Sequence, residues 1–343
     1  MNRTIGAMVS SISSDPVAAL RDAVGHAVSL ADLVGAGLDR LPRPGTGHTL
    51  ARWQRLAQVA AHDLSLVKLF EGHTDALAIL AELGASPAPP GSRWATWCAE
   101  PPDARLIFET AGDGYRLRGT KAWCSGAAQV THAVVSGWNA DGEPCLATVA
   151  MDAPGVTVTD TGWQAVGMAG SASVDVRFDG APARPLGRPG DYVRRPGFWQ
   201  GGAGIAACWW GGAAGIAAMV RDKAGSRSDP HRLAHVGGID TALAASAALL
   251  RECAAWIDAH PGANAQAWAL RVRLAVEEAA EAVVRHAARG LGAAPLCRDA
   301  RFARAMADLP VFIRQSHAER DLAALGALAL DADPHEESFA WQL

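Results

Sequence analysis

Two stretches decide how this chain is read: Gly119-Thr120-Lys121-Ala122-Trp123-Cys124-Ser125-Gly126-Ala127, and Gly162-Trp163-Gln164-Ala165-Val166-Gly167-Met168-Ala169-Gly170-Ser171 running into Ala172-Ser173-Val174-Asp175-Val176-Arg177-Phe178-Asp179-Gly180-Ala181-Pro182. The first closes a strand-like run, and a period of two puts Trp123 and Ser125 on one face. A flat apolar indole beside a hydroxyl suits the wall of a flavin site, covering the ring plane and bonding its polar edge. The second is a glycine-rich bend entering an alternating strand. Val174, Val176 and Phe178 take one face of that strand, and Asp175, Arg177 and Asp179 the other. Either stretch alone fits ordinary packing and turn chemistry; their order and spacing in one chain give them weight.

Outward from these stretches, a period of two holds from Trp94 to Phe178 in short runs at 105–110, 115–120, 132–138, 145–151, 156–160 and 174–178. Ala111-Gly112-Asp113-Gly114 and Asn139-Ala140-Asp141-Gly142-Glu143-Pro144 supply hairpin connections, so a small barrel or sandwich is expected. The flanks are helical. Asp15 caps a helix with Pro16 in its first turn, and apolar residues recur through Val17, Leu20, Val24, Val28 and Leu33. A loop at 41–47 interrupts the pattern, which resumes through Trp53, Leu56, Val59, Leu64, Val67, Leu77 and Leu80 and stops at the proline-rich 86–91. Helical patterning returns from Gly201 to about Leu330, broken at 225–230 and 260–263, as in an antiparallel bundle. The expectation is an α+β chain: helical residues 1–90, a central β-barrel at 91–190, and a C-terminal helical bundle at 191–343.

At 343 residues with a formal charge of −4 and a pI near 6.3, the chain offers no basic stripe for nucleic acid. Its six cysteines (98, 124, 145, 208, 253, 297) show no metal-ligand spacing, so no metal site is expected and a reducing cytoplasm fits. Met1–Met8 lack the apolar run of a signal peptide. The Gly/Ala-rich run from Ile205 to Val220 is short and glycine-laden for a membrane span. It predicts instead a buried helix carrying Trp209 and Trp210 to a subunit contact, and hence a homo-oligomer.

Four ordered segments resemble the acyl-CoA dehydrogenase family. Gly119–Ser125 is similar to its G-x-K-x-W-[IC]-[ST] strand, which lines the flavin. Gly167–Ser171 is similar to its L-G-x-[RA]-[GS]-[ST] turn. Trp97-Cys98-Ala99-Glu100-Pro101 resembles the T-E-P segment opening the β domain. Leu291–Asp308 resembles the C-terminal run that ends in R-D, with Asp308 as the terminal Asp. The resemblance implies helices, then a barrel, then a bundle, and a bound FAD, with FMN as the alternative. It sets Trp123 and Ser125 against the isoalloxazine and the backbone at Cys98 and Ala99 nearby. It also implies an oxidoreductase acting on a small molecule, here an acyl thioester oxidised at a CH–CH bond.

The chain departs from the family where the base should be. Eight residues beyond Asp308 stands Ser316, not a glutamate, and Glu319 lies nearly a turn further. The run Arg227–His235 lacks the alternative base motif, and the arginine that meets a neighbour's flavin diphosphate has no counterpart. A weakly acidic α proton needs a base within hydrogen-bond reach, and serine needs a partner to act as one. His317 beside that position and His73 in Leu69–Asp75 resemble the flavin monooxygenase branch of the fold, where serine and histidine surround a reduced flavin supplied by a reductase. A near-neutral imidazole can donate and recover a proton there. The competing reading for each histidine is a helix cap or a satisfied carbonyl. A third possibility is a flavin-free homologue serving as a binding subunit. His132, His231 and His235 are expected to be structural or solvated. Glu277, Glu278 and Glu281 are expected on an outer helix face pairing with Arg273 and Arg285, and Glu100 is expected to hold backbone amides.

Overall fold

The computed structural model describes residues 15–225, 229–332 and 341. The expectations for Met1–Met8 and for the start of the Arg227 run lie outside them. Four helices come first: α1 (Pro16–Val24), α2 (Leu30–Gly35), α3 (Thr49–His62) and α4 (Leu64–Glu82). Asp15 caps α1 by accepting from the Val17 N–H, and Asp63 both ends α3 and caps α4 through the Leu66 N–H.

Seven strands follow: β1 (Trp94–Trp97), β2 (Leu106–Ala111), β3 (Gly114–Cys124), β4 (His132–Trp138), β5 (Pro144–Ala150), β6 (Val156–Val158) and β7 (Val174–Pro185). The order β4-β2-β3-β7-β5 returns to β4, which closes a five-stranded barrel. β1 runs parallel to β4 on the outside, and β6 pairs with β7. The β2–β3 hairpin turns at Gly112-Asp113, where Gly112 takes a φ of 64°. On β7 the expected alternation holds from Val176: Val176 and Phe178 are buried and Arg177 and Asp179 exposed, while Val174 and Asp175 at the strand start are both half-buried.

The second helical part comprises α5 (Asp191–Arg194), α6 (Gly197–Ala224), α7 (Pro230–Ala259), α8 (Gln266–Leu291), α9 (Ala293–Arg298), α10 (Ala300–Phe312) and α11 (Glu319–Asp331). One apolar cluster runs from Val17 through the barrel to Ile313, so the helices and the barrel share a core. Asp258 on α7 ties the bundle to the start of α3, accepting from the Thr49 hydroxyl (2.6 Å) and from the Gly47 and Thr49 N–H groups.

α6 packs directly on the α3 backbone. A Cβ at Gly211 would run into the Ala57 carbonyl oxygen, so glycine permits the close approach. α6 and α7 are each long and apolar enough to cross a membrane by length and composition. Two thirds of the most apolar part of α6 is buried inside this fold, against 17 % of that of α7. Trp209 is fully buried, and Trp210 donates to the Leu243 carbonyl on α7. The apolar face of α6 is therefore covered by this chain itself and does not argue for a subunit contact, because the sequence could not show which helices pack against it.

Replacing Gly211 with Ala should cost roughly 1–3 kcal/mol through forced separation of α3 and α6. Gly202, on the same helix but with open space at its Cβ, should lose nothing and gain up to about 1 kcal/mol on the same change. Urea unfolding of the two variants checks the contrast.

Candidate functional site

Trp123 sits in a bulge. Lys121 pairs with Val176 and Cys124 with Val174, so two residues of β3 face one of β7. The extra residue breaks the period of two, and Trp123 and Ser125 do not share a face as the alternation predicts. The Trp123 indole is 52 % exposed, with its backbone at φ 56°. Ser125 lies just past the strand end and is buried. Its hydroxyl is 2.7 Å from that of Ser173, which is 2.9 Å from that of Ser171, and Ser171 donates to the Met168 carbonyl. An exposed flat ring thus stands beside a buried run of three hydroxyls.

The glycine turn is held against α10. The Met168 N–H donates to Asp308 Oδ1 on α10 at 2.6 Å, and a Cβ at Gly167 would strike the Ala307 carbonyl oxygen. Two segments singled out separately in the sequence therefore meet through one buried carboxylate. Burial raises the Asp308 carboxyl above its ordinary range, opposed by that hydrogen bond. Asp308 also lines a cavity of about 250 Å³ with His62, Asp63, Gly212, Met219 and Arg304. None of the residues expected at the site lines it.

Among the described residues, four that are not glycine adopt left-handed φ: Trp123 (56°), Met168 (59°), Ala172 (40°) and Ala318 (46°). All four fall in the β3 bulge, the glycine turn or the segment after Ser316. A bulky residue rarely tolerates this region, and such strain collects at functional sites.

Ser316 is buried and its hydroxyl accepts from the Ala318 N–H, so it closes the strained turn. His317 is exposed. Its Nδ1 lies 3.2 Å from Asp321 Oδ1, and its backbone N–H donates to Asp321 Oδ2. Asp321 thus fixes the ring and leaves Nε2 free, the arrangement of an oriented proton carrier. Glu319 is exposed at the start of α11.

His73 is placed differently. It is fully buried, its Nδ1 accepts from the Trp94 N–H at 3.0 Å, and its Nε2 faces Asp39 at 3.3 Å. Both ring nitrogens join α4 to β1 and to the loop after α2, and no described contact links His73 to His317 or Trp123. Cys98 is half-buried; burial pushes its thiol up to about 11, and Tyr192 bonds it. Ala99, the next residue, is exposed.

Several groups were out of reach of the sequence. Lys121 is 2 % exposed and donates to the carbonyl and hydroxyl of Ser136, both at 2.9 Å. Ser136 in turn donates to Glu100, so Glu100 holds a side-chain hydroxyl rather than backbone amides. Glu277 is buried against Arg314 at 2.6 Å instead of lying on an outer face, and Arg273 donates to the carbonyls of Gly202 and Gln315. Glu71 is held above its ordinary range by burial, partly offset by Lys68 at 3.1 Å. His132 stacks on Trp94, and His235 meets His286 at 3.0 Å, a partner that only the α7–α8 packing reveals. Residue type alone flagged the histidines; apart from Lys68, three residues before Glu71 on α4, these partners lie in other segments.

No family model matches the sequence. An amino sugar nitrososynthase from Streptomyces peucetius, DnmZ, is 39 % identical over a 112-residue alignment that covers 29 % of this chain and 27 % of that protein. A nitrososynthase from Micromonospora carbonacea var. africana superposes with a TM-score of 0.75 at 21 % identity over 93 % of both chains. A dibenzothiophene monooxygenase from Paenibacillus sp. A11-2, solved with FMN and indole, superposes at 0.73 with 21 % identity over 84 % of both chains. At such identities the likeness establishes the fold: the chain has the acyl-CoA dehydrogenase fold that the four motifs announced.

Burial also lowers His73 from its ordinary value near 6.5. The unfolded chain therefore takes up the proton first, and this contribution to stability is present above about pH 6.5 and is lost as pH falls toward the lowered value. The urea midpoint should drop between about pH 7.5 and pH 5.5, and less steeply in His73→Asn.

Proposed function

We propose that this chain is a flavin-dependent monooxygenase that oxygenates a small molecule using reduced flavin and molecular oxygen. The observation that carries this reading is the strained turn at Ser316–Ala318, where the family's dehydrogenases keep a glutamate and this chain presents a hydroxyl and an oriented imidazole. The residues fit a flavin: the bulge exposes the Trp123 indole, whose flat face is otherwise a costly apolar surface. Trp123 would cover the ring plane, and Ser125, backed by Ser173 and Ser171, would meet its polar edge. The loop at Cys98 and Ala99 would bring backbone groups alongside, with Lys121 and Glu100 holding that loop to the barrel. When bound, the reduced flavin supplies the electrons that activate oxygen. His317 would carry protons at Nε2, its other nitrogen held by Asp321. His73, with both nitrogens engaged, would act by fixing α4 to β1.

FMN is favoured over FAD, because the solved relative carries FMN and no counterpart of the diphosphate-binding arginine stands out in this sequence. A separate reductase would deliver the flavin reduced. Amino sugar nitrososynthases and a dibenzothiophene monooxygenase among the similar proteins support oxygenation over dehydrogenation. A second reading, CH–CH oxidation of an acyl thioester, is the activity that the four family motifs imply, but no carboxylate stands at the family's base position.

One experiment separates the readings. The flavin-loaded protein should not bleach when mixed anaerobically with acyl-CoA of any chain length, and with reduced flavin it should consume oxygen. In His317→Ala, oxygen use should persist while product falls and peroxide rises. Anaerobic bleaching by an acyl thioester would establish dehydrogenation instead, and failure to bind either flavin would favour the flavin-free binding subunit.

A further inference from the structure

The segment that leads into the Ser316–Ala318 turn is held to α8 at several points. Arg273, Glu277 and Glu281 recur every fourth residue of α8 and so share one face. Glu277 and Glu281 accept from the Arg314 guanidinium at 2.6 and 2.8 Å. Arg273 gives Nη2 to the Gln315 carbonyl at 2.8 Å and Nη1 to the Gly202 carbonyl on α6 at 3.1 Å. Its guanidinium carbon lies 5.0 Å from the centre of the fully buried Trp209 ring, which holds the fork in place.

Burial disfavours the Arg273 charge, and the Asp321 carboxylate opposes this more than Glu277 does. Asp321 is the group that orients His317. Yet among the described residues Arg273 forms no ion pair with either carboxylate, and both of its hydrogen bonds go to backbone carbonyls. A cation kept for stability alone would do better in direct contact with a carboxylate. Two donors on a rigid plane instead fix the separation of two pieces of chain. The turn needs such support, because Ala318 has a left-handed φ of 46°, a conformation that persists only where the surroundings impose it. Ser316 bonds the turn from within and Asp321 from α11, while Arg273 ties its leading end to the bundle.

We propose that Arg273 is a positioning residue for oxygenation: by fixing the Gln315 carbonyl against α6, its fork holds the turn where His317 Nε2 can carry protons. The role rests on the reading of His317 as the proton carrier. Arg273 acts through Gln315 and Asp321 and does not itself meet flavin or substrate.

Two measurements on the full chain test this, with Arg273→Lys, Arg273→Gln and His317→Ala beside wild type. In the flavin-free protein, hydrogen exchange at the Ser316, His317 and Ala318 amides should quicken about tenfold or more in Arg273→Gln, with the rest of α6 and α8 within about twofold. Arg273→Lys should quicken it about threefold or more, since an ammonium keeps the charge but has no planar fork to span two carbonyls. In the FMN-loaded protein, photoreduced without oxygen and then mixed with it, flavin reoxidation is followed from about pH 5.5 to 8.5. His317→Ala should remove the limb of the profile that the imidazole supplies, and Arg273→Gln should slow the rate on that limb about tenfold or more.

Unchanged exchange at the turn in the Arg273 variants overturns the proposal whatever the flavin chemistry. A wild-type profile in Arg273→Gln beside an altered one in His317→Ala overturns it too, leaving His317 as the carrier. A wild-type profile in His317→Ala, or no flavin binding, overturns the monooxygenase reading and the role of Arg273 with it. If circular dichroism shows Arg273→Gln unfolded, Arg273→Lys decides both measurements.

Discussion

The hydrogen bond from the Met168 N–H to Asp308 carries much of the structure's logic. It joins the turn that leads into barrel strand β7 to a helix near the C-terminus, and it does so with a carboxylate that burial disfavours in its charged form. A charged acceptor makes a stronger bond than a neutral one, enough to hold Met168 in a left-handed conformation it would not adopt alone. With the turn fixed, Ser171 and Ser173 are brought under Ser125, and the strand entered at Val174 meets β3 with one residue to spare. That spare residue makes the bulge that turns Trp123 outward. The exposed indole is thus a consequence of how helix, turn and barrel are clamped together.

Charge inside the fold follows the same principle. Lys121 is almost fully buried and is tolerated because Ser136 and Glu100 answer it. The network spans β3, β4 and the loop after β1, so three pieces of the site share one set of partners. Arg273 spreads its donors between α6 and the turn that carries Ser316, and lies over the Trp209 ring. Around His317 the contact is simpler, since one carboxylate from the next helical turn sets both the backbone and the ring.

The barrel's strands and hairpins were legible because their signals are local: glycine at the tip of the β2–β3 turn, and alternation along β7. The caps at Asp15 and the break at 86–91 were legible for the same reason. The bulge was not, since the count of residues between Lys121 and Cys124 acquires meaning only against a partner strand. His73 shows the limit most clearly. Its position among apolar neighbours fits a catalytic or a structural histidine equally, and only the contacts with Trp94 and Asp39 decide how its nitrogens are used. Glu277 looked solvated because its partner Arg314 lies on another element, and the covered face of α6 looked exposed for the corresponding reason. Family motifs singled out the segments; pairing across the fold determined which contacts each side chain in them makes.

The central claim is that the bulge at Trp123 forms the wall of a flavin site. Titration of the purified chain with FMN and FAD, followed by quenching of flavin fluorescence, tests it most directly when wild type is compared with Trp123→Ala. Saturable one-to-one binding of at least one flavin by wild type, weakened about tenfold or more in the variant with its circular dichroism unchanged, is the predicted result. Equal affinity in the two proteins, or no binding by either, would contradict it.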